Sequence, residues 1–548
     1  MQEDNDFVIE GPAPVEPLVE ETAGQIFWKV LMDNDPQHNI MINAETGAVL
    51  TTKTLLEESC KLAQALRIHG CAPQTTLCIG SENNLEYFIP VFASMFAGTI
   101  TAPLSVNYTD QEIKHILNVT KPRVAFCSKK VAGRYVKLKS EMKFLETVIV
   151  TNGDEEVVEG AVNMKEFVEK QLNGKVVSPY KFLPFDGDSK KNVQLILCSS
   201  GTTGLPKGVM LTHRNIVTRL LQSRHPEYLS DLNVVLGLMP FFHSYGMIFG
   251  LTSIFNRHVT VMMDKFDGDF FLKTIQDYKI PLIRIAPPLA IYLLKNPKVS
   301  LYDLSCVQEV FCAAAPLNGK TEAKLKERLN LKSIYQAYGC TEGTLALTIT
   351  NKDVFRPGSC GRVITYMQCI VRDPDTGRSL GPYEVGELCF KGPTIMKGYY
   401  NNPKATAESF TPDGWLRTGD LGYYDNEQYF YVVDRLKELI KYKGYQVAPA
   451  ELEAVLINHP KVLEAGVVGL PDEFAGELPM AFVVLKDNQQ IGEEELKKYV
   501  ASNVSPQKRL RGGVVFVSSI PKNPSGKILR KELKKKLGEY RKSIPSKL

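Results

Sequence analysis

The chain has no C-x-x-C pair, and its eleven cysteines are scattered and odd in number. This excludes a disulfide framework and an ordinary zinc site, and it suits a reducing compartment. Strong charge of either sign is also missing. The formal net charge is +4, too small to imply a nucleic-acid partner. The basic excess gathers in Lys522 to Lys547, which reads as a solvated helix face. Long purely apolar runs are absent too. Tyr87 to Leu104 and Val234 to Phe255 lack Asp, Glu, Lys and Arg, but each holds proline plus glycine, serine or threonine. Both are expected to be buried core segments, and no membrane span is expected. The acidic, polar opening Met1-Gln2-Glu3-Asp4-Asn5-Asp6 reads as no secretory signal. There is no internal repeat and no low-complexity tract. What remains is an ordinary globular composition over 548 residues, 44% hydrophobic and 23% charged, enough for three or four units of ~150 residues.

Helix and strand signals alternate along the first two thirds. After a proline-rich arm over residues 1–20, helices are expected at Leu55 to His69, Asn84 to Phe96 and Asp110 to Thr120. Strands are expected at Thr76 to Ile79, Thr99 to Pro103 and Val124 to Cys127. The alternation resumes from Val259 to Leu329 and predicts parallel sheets with crossovers. From about Ser359 short strands and turns take over, as in a small barrel. From about Arg435 onward an α+β unit of about 110 residues is expected, its helices and strands beginning at Ala450.

Six blocks carry chemistry. The first, Ser199-Ser200-Gly201-Thr202-Thr203-Gly204-Leu205-Pro206-Lys207-Gly208, lies between two apolar strand signals. Its glycines let backbone N–H groups approach a ligand, and with the lysine they form a concave site for phosphate oxygens. Pro206 stands where a Walker A loop has glycine, and no helix obviously follows. A polar hairpin turn is the plain alternative. The second block is Pro240-Phe241-Phe242-His243-Ser244-Tyr245-Gly246, where the histidine alone is more often a satisfied core residue. In the third, Tyr338-Gly339-Cys340-Thr341-Glu342, a hydroxyl and a carboxylate stand at the carboxyl end of a strand, where α/β sheets bind ligands. A capped turn is equally good for that block alone. Asp420 in Trp415-Leu416-Arg417-Thr418-Gly419-Asp420 suits a ribose, though Gly-Asp is also a turn pair. Asp434 to Glu451 reads as a charged linker or hinge. Lys527 in Pro521-Lys522-Asn523-Pro524-Ser525-Gly526-Lys527-Ile528 can swing on its stem as a point charge; alone, that block is a surface loop.

In their order these blocks resemble the adenylate-forming superfamily of acyl- and aryl-CoA synthetases, peptide-synthetase adenylation domains and insect luciferases. The resemblance runs from about Phe27 to Lys536. The last two blocks, with Gly476-Glu477-Leu478-Pro479 between them, are most similar to insect luciferases and luciferase-like fatty acyl-CoA synthetases. The resemblance implies an α/β fold. A large N-terminal domain over 1–434 would hold two doubly wound α/β subdomains and a small β-barrel subdomain at about 359–434. A small mobile α+β domain would follow over 435–548. It implies ATP, Mg²⁺ and coenzyme A, and a likeness of roles. Ser199, Ser200, Gly201, Thr202, Thr203, Gly204 and Lys207 would grip the phosphates, and Ala315, Pro316, Tyr338 and Gly339 would flank adenine. Thr341 would touch the α-phosphate, Glu342 would hold Mg²⁺, and Asp420 with Arg435 would bind the ribose. His243 would line the acyl site with Tyr245, Gly246 and Leu345. Lys527 would serve adenylation and Lys437 the hinge. After rotation Lys441 would face the adenylate, with Lys443, Gly444 and Gln446 along the coenzyme A channel.

Leu345 stands where light-emitting relatives usually have serine, so a heteroaromatic acid would lose a polar partner there. The expected substrate is a medium- to long-chain fatty acid, with luciferin or an aromatic acid as alternatives. A binding module that kept only the fold is disfavoured, because Lys527, Lys441, Glu342 and Asp420 are all present. Ser546-Lys547-Leu548 reads as a peroxisomal address for an import receptor, and a monomer is expected.

Overall fold

The computed structural model describes residues 7–151, 158–199, 206–443, 445–472, 474–523 and 526–543. Ser200 to Gly204, Gly444 and Ser546 to Leu548 therefore lie outside the described residues.

Four sheets organise the chain. The first runs in the order Gly398–Tyr399, Lys207–Thr212, Val193–Ser199, Ile100–Leu104, Thr76–Gly80, Val124–Cys127, Thr147–Val150, Val162–Asn163. The strands from Val193–Ser199 onward pair in parallel, and the first two join antiparallel at one edge. The second, nine-stranded sheet has a parallel centre of Ser333–Tyr338, Glu309–Cys312, Leu282–Ile285, Val234–Gly237, Val259–Met262 and Asn39–Asn43. The third is a five-stranded antiparallel sheet whose last strands are Leu416–Tyr424 and Phe430–Arg435. Cys360 and Gly361 exchange backbone hydrogen bonds with Phe430 along its far strand. The fourth belongs to the C-terminal part and is built from Ile440–Tyr442, Tyr445–Val447, Val462–Asp472, Gly476–Leu485 and Gly513–Phe516.

The helices start where local chemistry allows. Thr51 caps Thr52–Ile68 through the N–H of Thr54, and the helix buries Leu55, Leu56, Cys60, Leu62, Ala63 and Leu66. Thr109 and Glu112 form a capping box on Asp110–Thr120, satisfying two orphan donors at once. The charge-free stretch after Tyr87 becomes Phe88–Ala97, all ten residues buried, followed by Ile100–Leu104. That helix begins later than the expected Asn84 because the Asn84 side chain accepts the Glu86 N–H at 3.0 Å. The local turn competes with the helix for the same backbone. Among the described residues no helix is long and apolar enough to cross a membrane.

A strand, Lys207–Thr212, and not a helix directly follows the Ser/Thr/Gly loop, as expected; the helix His213–Gln222 comes after it on a capping box of Thr212 and Asn215. One further reading changes. Gly419-Asp420 is not a turn pair but part of the Leu416–Tyr424 strand. Gly419 there has φ +71, and its N–H is donated to Glu387 Oε1 at 3.1 Å. Glycine takes this left-handed kink without the steric cost another residue would bear.

Candidate active site

Parallel strands end together, so their following loops share one rim. Tyr338 closes Ser333–Tyr338, and its hydroxyl donates to Asp420 Oδ2 at 2.7 Å. Asp420 is paired in register with Arg435 on the neighbouring strand, whose Nε lies 3.3 Å from Oδ1. Burial, then the Asp420 charge, pushes the Tyr338 phenol well above its ordinary range, so it remains a donor. Ala315 and Pro316 follow the adjacent Glu309–Cys312 strand, one half-buried and the other exposed. The backbone before them turns through Ala314 at φ +78. Gly339 packs against the returning chain, where a Cβ would stand 1.7 Å from the Leu345 carbonyl oxygen. The return runs through Thr344 at φ +54 and Leu345 at φ +86, two non-glycine residues in a sparsely populated region. Such strain persists only where the surroundings hold it. The Thr344 hydroxyl is fixed on the Thr394 carbonyl at 2.6 Å.

Beside this corner, Thr341 donates to Ser244 Oγ at 3.3 Å, and Glu342 accepts from the Tyr399 hydroxyl at 2.9 Å. Lys207 lies over the Tyr399 ring, 4.8 Å from its centroid, and pairs in register with Ser199. The ends of the loop and Glu342 are thus neighbours.

His243 caps Ser244–Phe255, its Nδ1 accepting the Tyr245 N–H at 3.2 Å. An accepting Nδ1 leaves the proton of neutral imidazole on Nε2. Burial, helped by the Lys527 charge, lowers His243 to about 4, so it is neutral near pH 7. Near it, Met239, Tyr245, Gly246, Phe249 and Arg284 border a small cavity of about 20 Å³. Tyr245 is fixed by its hydroxyl on the Ile285 carbonyl at 3.1 Å.

Lys527 comes from the C-terminal part. Burial brings it down to about 8, with Arg435 and Arg530 lowering it and Asp420 and Glu438 raising it. Its loop rests on the large part, where a Cβ on Gly526 would meet Pro288 at 3.0 Å. Lys441 is not in the site. It is exposed on Ile440–Tyr442 with its N–H on Glu477 Oε2 at 2.9 Å, and Lys443 and Gln446 are exposed near it. Lys437 is exposed between two anchored neighbours. The Leu436 N–H is donated to Gly419 O at 2.8 Å, while Glu438 accepts from Arg530 at 2.6 Å.

Sequence reading missed that second anchor. Arg530 also makes bonds of 2.9 and 2.8 Å to the two oxygens of Glu453, and Asp434 accepts the Ala450 N–H at 2.9 Å. Lys295 of Pro287–Lys295 donates to the Ile457 and Val462 carbonyls at 3.3 and 3.0 Å, tying the two parts. Glu453 sits within a helix and Arg530 in a basic run; neither carries a signal that distinguishes it from a solvated charge.

A sheet-rim pocket with an anchored carboxylate, a neutral histidine and a lysine delivered by a second unit defines a class: enzymes that activate a small molecule at a nucleotide. The comparisons narrow it. The model of AMP-binding enzymes matches residues 29–400, and that of the AMP-binding enzyme C-terminal domain matches 451–527. The chain is 40% identical to a luciferin 4-monooxygenase of Photuris pensylvanica over 98% of this chain and 99% of that one. It is also 40% identical to a probable 4-coumarate–CoA ligase of Dictyostelium discoideum over 82% and 84%. Its fold matches ATP-bound MatB of Rhodopseudomonas palustris with a TM-score of 0.85, at 24% identity over 95% and 99%. The chain belongs to the AMP-binding, adenylate-forming enzyme family, beside the luciferases and 4-coumarate–CoA ligases.

Proposed function

We propose that the protein is an ATP- and Mg²⁺-dependent acid–CoA ligase. A carboxylate oxygen of the acid attacks the α-phosphorus of ATP, and pyrophosphate leaves; the thiol of coenzyme A then attacks the acyl carbon, and AMP leaves. The observation that carries this reading is the meeting of Lys527, Arg435, Asp420 and His243, contributed by both parts of the chain. The first step brings two anions together, so preorganised cations and dipoles do most of the work. Asp420 is placed to accept from ribose hydroxyls, and Lys527 to meet charge on the phosphate. His243 offers Nε2–H, a donor without net charge, to the reacting carboxylate. Lys441 faces away in this arrangement. Rotation about Lys437, between Leu436 and Glu438, would exchange it for Lys527 and bring Lys443 to Gln446 to the second step.

Among the described residues no group of three or more His, Cys, Asp and Glu side chains is set to hold a metal. Mg²⁺ binds through one or two carboxylates plus phosphate oxygens, and Glu342 beside Lys207 fits that donor set. When bound, the ion would supply charge neutralisation on the phosphates.

For the acid we favour a medium- to long-chain fatty acid, because Leu345 offers no hydroxyl and the cavity wall at Met239 and Phe249 is apolar. Luciferin is the second reading, supported by the 40% identity to a luciferin 4-monooxygenase along 98% of the chain. The test is pyrophosphate release from purified protein with MgATP and coenzyme A across fatty acids, aromatic acids and luciferin, with light recorded in the same wells. Turnover with fatty acids, coenzyme A-dependent AMP release and little light is expected. Strong light with luciferin and poor fatty-acid turnover would overturn the choice of acid. The Ser546-Lys547-Leu548 tripeptide supports peroxisomal delivery of this activity, which deletion of those residues from a fluorescent fusion would abolish.

A further inference from the structure

Glu322 is a buried carboxylate with no paired cation among the described residues. It lies in the first turn of Gly319–Arg328, the helix that follows Ala315 and Pro316, and is 1% exposed. Its Oε2 accepts from Gln336 Nε2 and from the Gly358 N–H, each at 2.8 Å. Taking a carboxylate out of water is costly even where hydrogen bonds compensate, and an apolar side chain would avoid that cost. The bonds therefore matter for what they fix.

Each donor leads to one half of the nucleotide corner. Gln336 stands two residues before Tyr338 on Ser333–Tyr338. Its Oε1 accepts the Leu317 N–H at 3.0 Å, and its Nε2 donates to the Leu317 carbonyl at 3.2 Å. A flipped amide would set its oxygen against the Glu322 carboxylate and its NH₂ against the Leu317 N–H. Glu322 thus dictates the orientation that holds Leu317. Leu317 directly follows Ala315-Pro316, and the chain enters them through Ala314 at φ +78. Backbone in that sparsely populated region holds only where its surroundings fix it. Leu317 is the fixed end.

The second donor opens the third sheet. The chain after Gly358 runs through Cys360 and Gly361, whose backbone bonds with Phe430 lie at the start of the Phe430–Arg435 strand. That strand ends at Arg435, the registered partner of Asp420. The helix start packs directly on this turn, where a Cβ on Gly319 would stand 3.0 Å from the Pro357 carbonyl carbon. We propose that Glu322 is a positioning residue for the nucleotide. Through Gln336 and Leu317 on one side and Gly358 on the other, it sets the turn Ala315-Pro316 against the sheet that carries Asp420 and Arg435. This rests on the nucleotide roles of Ala315, Pro316 and Asp420 in the ligase reading, and deepens them. Glu322 acts through other residues, so its loss weakens nucleotide binding and raises KM for ATP while kcat is kept.

The test titrates AMP by calorimetry into the full-length wild type, Glu322→Leu, Glu322→Asp and Glu322→Gln, well below each melting temperature. KM for ATP and kcat are measured alongside by pyrophosphate release. Glu322→Leu removes both bonds, and Glu322→Asp withdraws the oxygen by one methylene. Each is expected to weaken AMP about 10-fold or more, the effect of a lost bond to a charged group, and to raise KM for ATP alike with kcat within about twofold. Glu322→Gln keeps an acceptor oxygen in place and should recover most of the affinity. Gln336→Leu should cost as much as Glu322→Leu, and the double variant little more, because the two side chains act in one chain of bonds. Unchanged AMP affinity in Glu322→Asp and Gln336→Leu overturns the inference, whatever their melting temperatures and whether or not Glu322→Leu folds. A fall in kcat with KM for ATP unchanged overturns it as well. No pyrophosphate from any acid removes the ligase reading alone, since the AMP titration needs no acid, and a wild type that binds no AMP removes both.

Discussion

The Tyr338 hydroxyl donates to Asp420 Oδ2 at 2.7 Å, although 82 residues separate them in the chain. The bond orients one face of a buried carboxylate, and Arg435 at 3.3 Å holds the other. A hydrogen bond to a charged group contributes about 1.5–3 kcal/mol. Tyr338→Phe should therefore lower kcat/KM for ATP about 10- to 100-fold, mostly through KM, in steady-state pyrophosphate release. An unchanged KM would mean that Asp420 is positioned without the tyrosine.

The pH profile of adenylation should be one-sided around neutrality. Lys527 is brought down to about 8, so its cation is present below that pH and lost above it. His243, lowered to about 4, stays neutral through the range where an ordinary histidine titrates. The profile of kcat/KM, which reports the free enzyme, should fall as pH rises through about 8 and show no step near 6.5. Lys527→Arg keeps its charge and should move the alkaline limb upward. A limb near 6.5 would contradict the neutral His243.

Arg530 carries two carboxylates, Glu438 and Glu453, and is 11% exposed at its side chain. Arg530→Met leaves both acids without their cation, a loss of about 3–5 kcal/mol for a buried pair broken on one side. The Glu453 pKa is already raised, first by burial, and Arg530 opposes that rise. Removing Arg530 raises it further, and a carboxyl raised in the folded state weakens stability as pH climbs. The destabilisation seen by denaturant unfolding should be larger at pH 7 than at pH 5. Equal losses at both would show that the ion pairs are not its source.

Lys295 reaches two carbonyls of the C-terminal part. Lys295→Met should slow adenylation several-fold while sparing thioester formation from a supplied adenylate, since only the first arrangement uses this contact. Equal loss of both half-reactions would assign Lys295 a general role.

Much of this was legible from residue order. Apolar spacing marked Thr52–Ile68, Asp110–Thr120 and the parallel strands, because helix and strand periodicity are local properties. Tyr338, Thr341 and Glu342 stood out because loops after parallel strands have a fixed address in such folds, and Asp420 because a lone carboxylate after glycine suits a ribose. Distant pairing was not legible. Ile9–Glu10 joins Gln368 and Cys369, and Gly398–Tyr399 borders Val209 and Met210, although two-residue strands have no periodicity to detect. The arrangement of the two parts was also invisible, and with it the fact that Lys527 is inside and Lys441 outside.

The central claim is that Lys527 serves the first half-reaction and Lys441 the second. The direct measurement takes Lys527→Ala and Lys441→Ala through pyrophosphate release from acid and ATP, and separately through thioester formation from the preformed acyl-adenylate. The account predicts that Lys527→Ala loses the first by orders of magnitude and keeps the second, with the reverse for Lys441→Ala. Full pyrophosphate release by Lys527→Ala would contradict it.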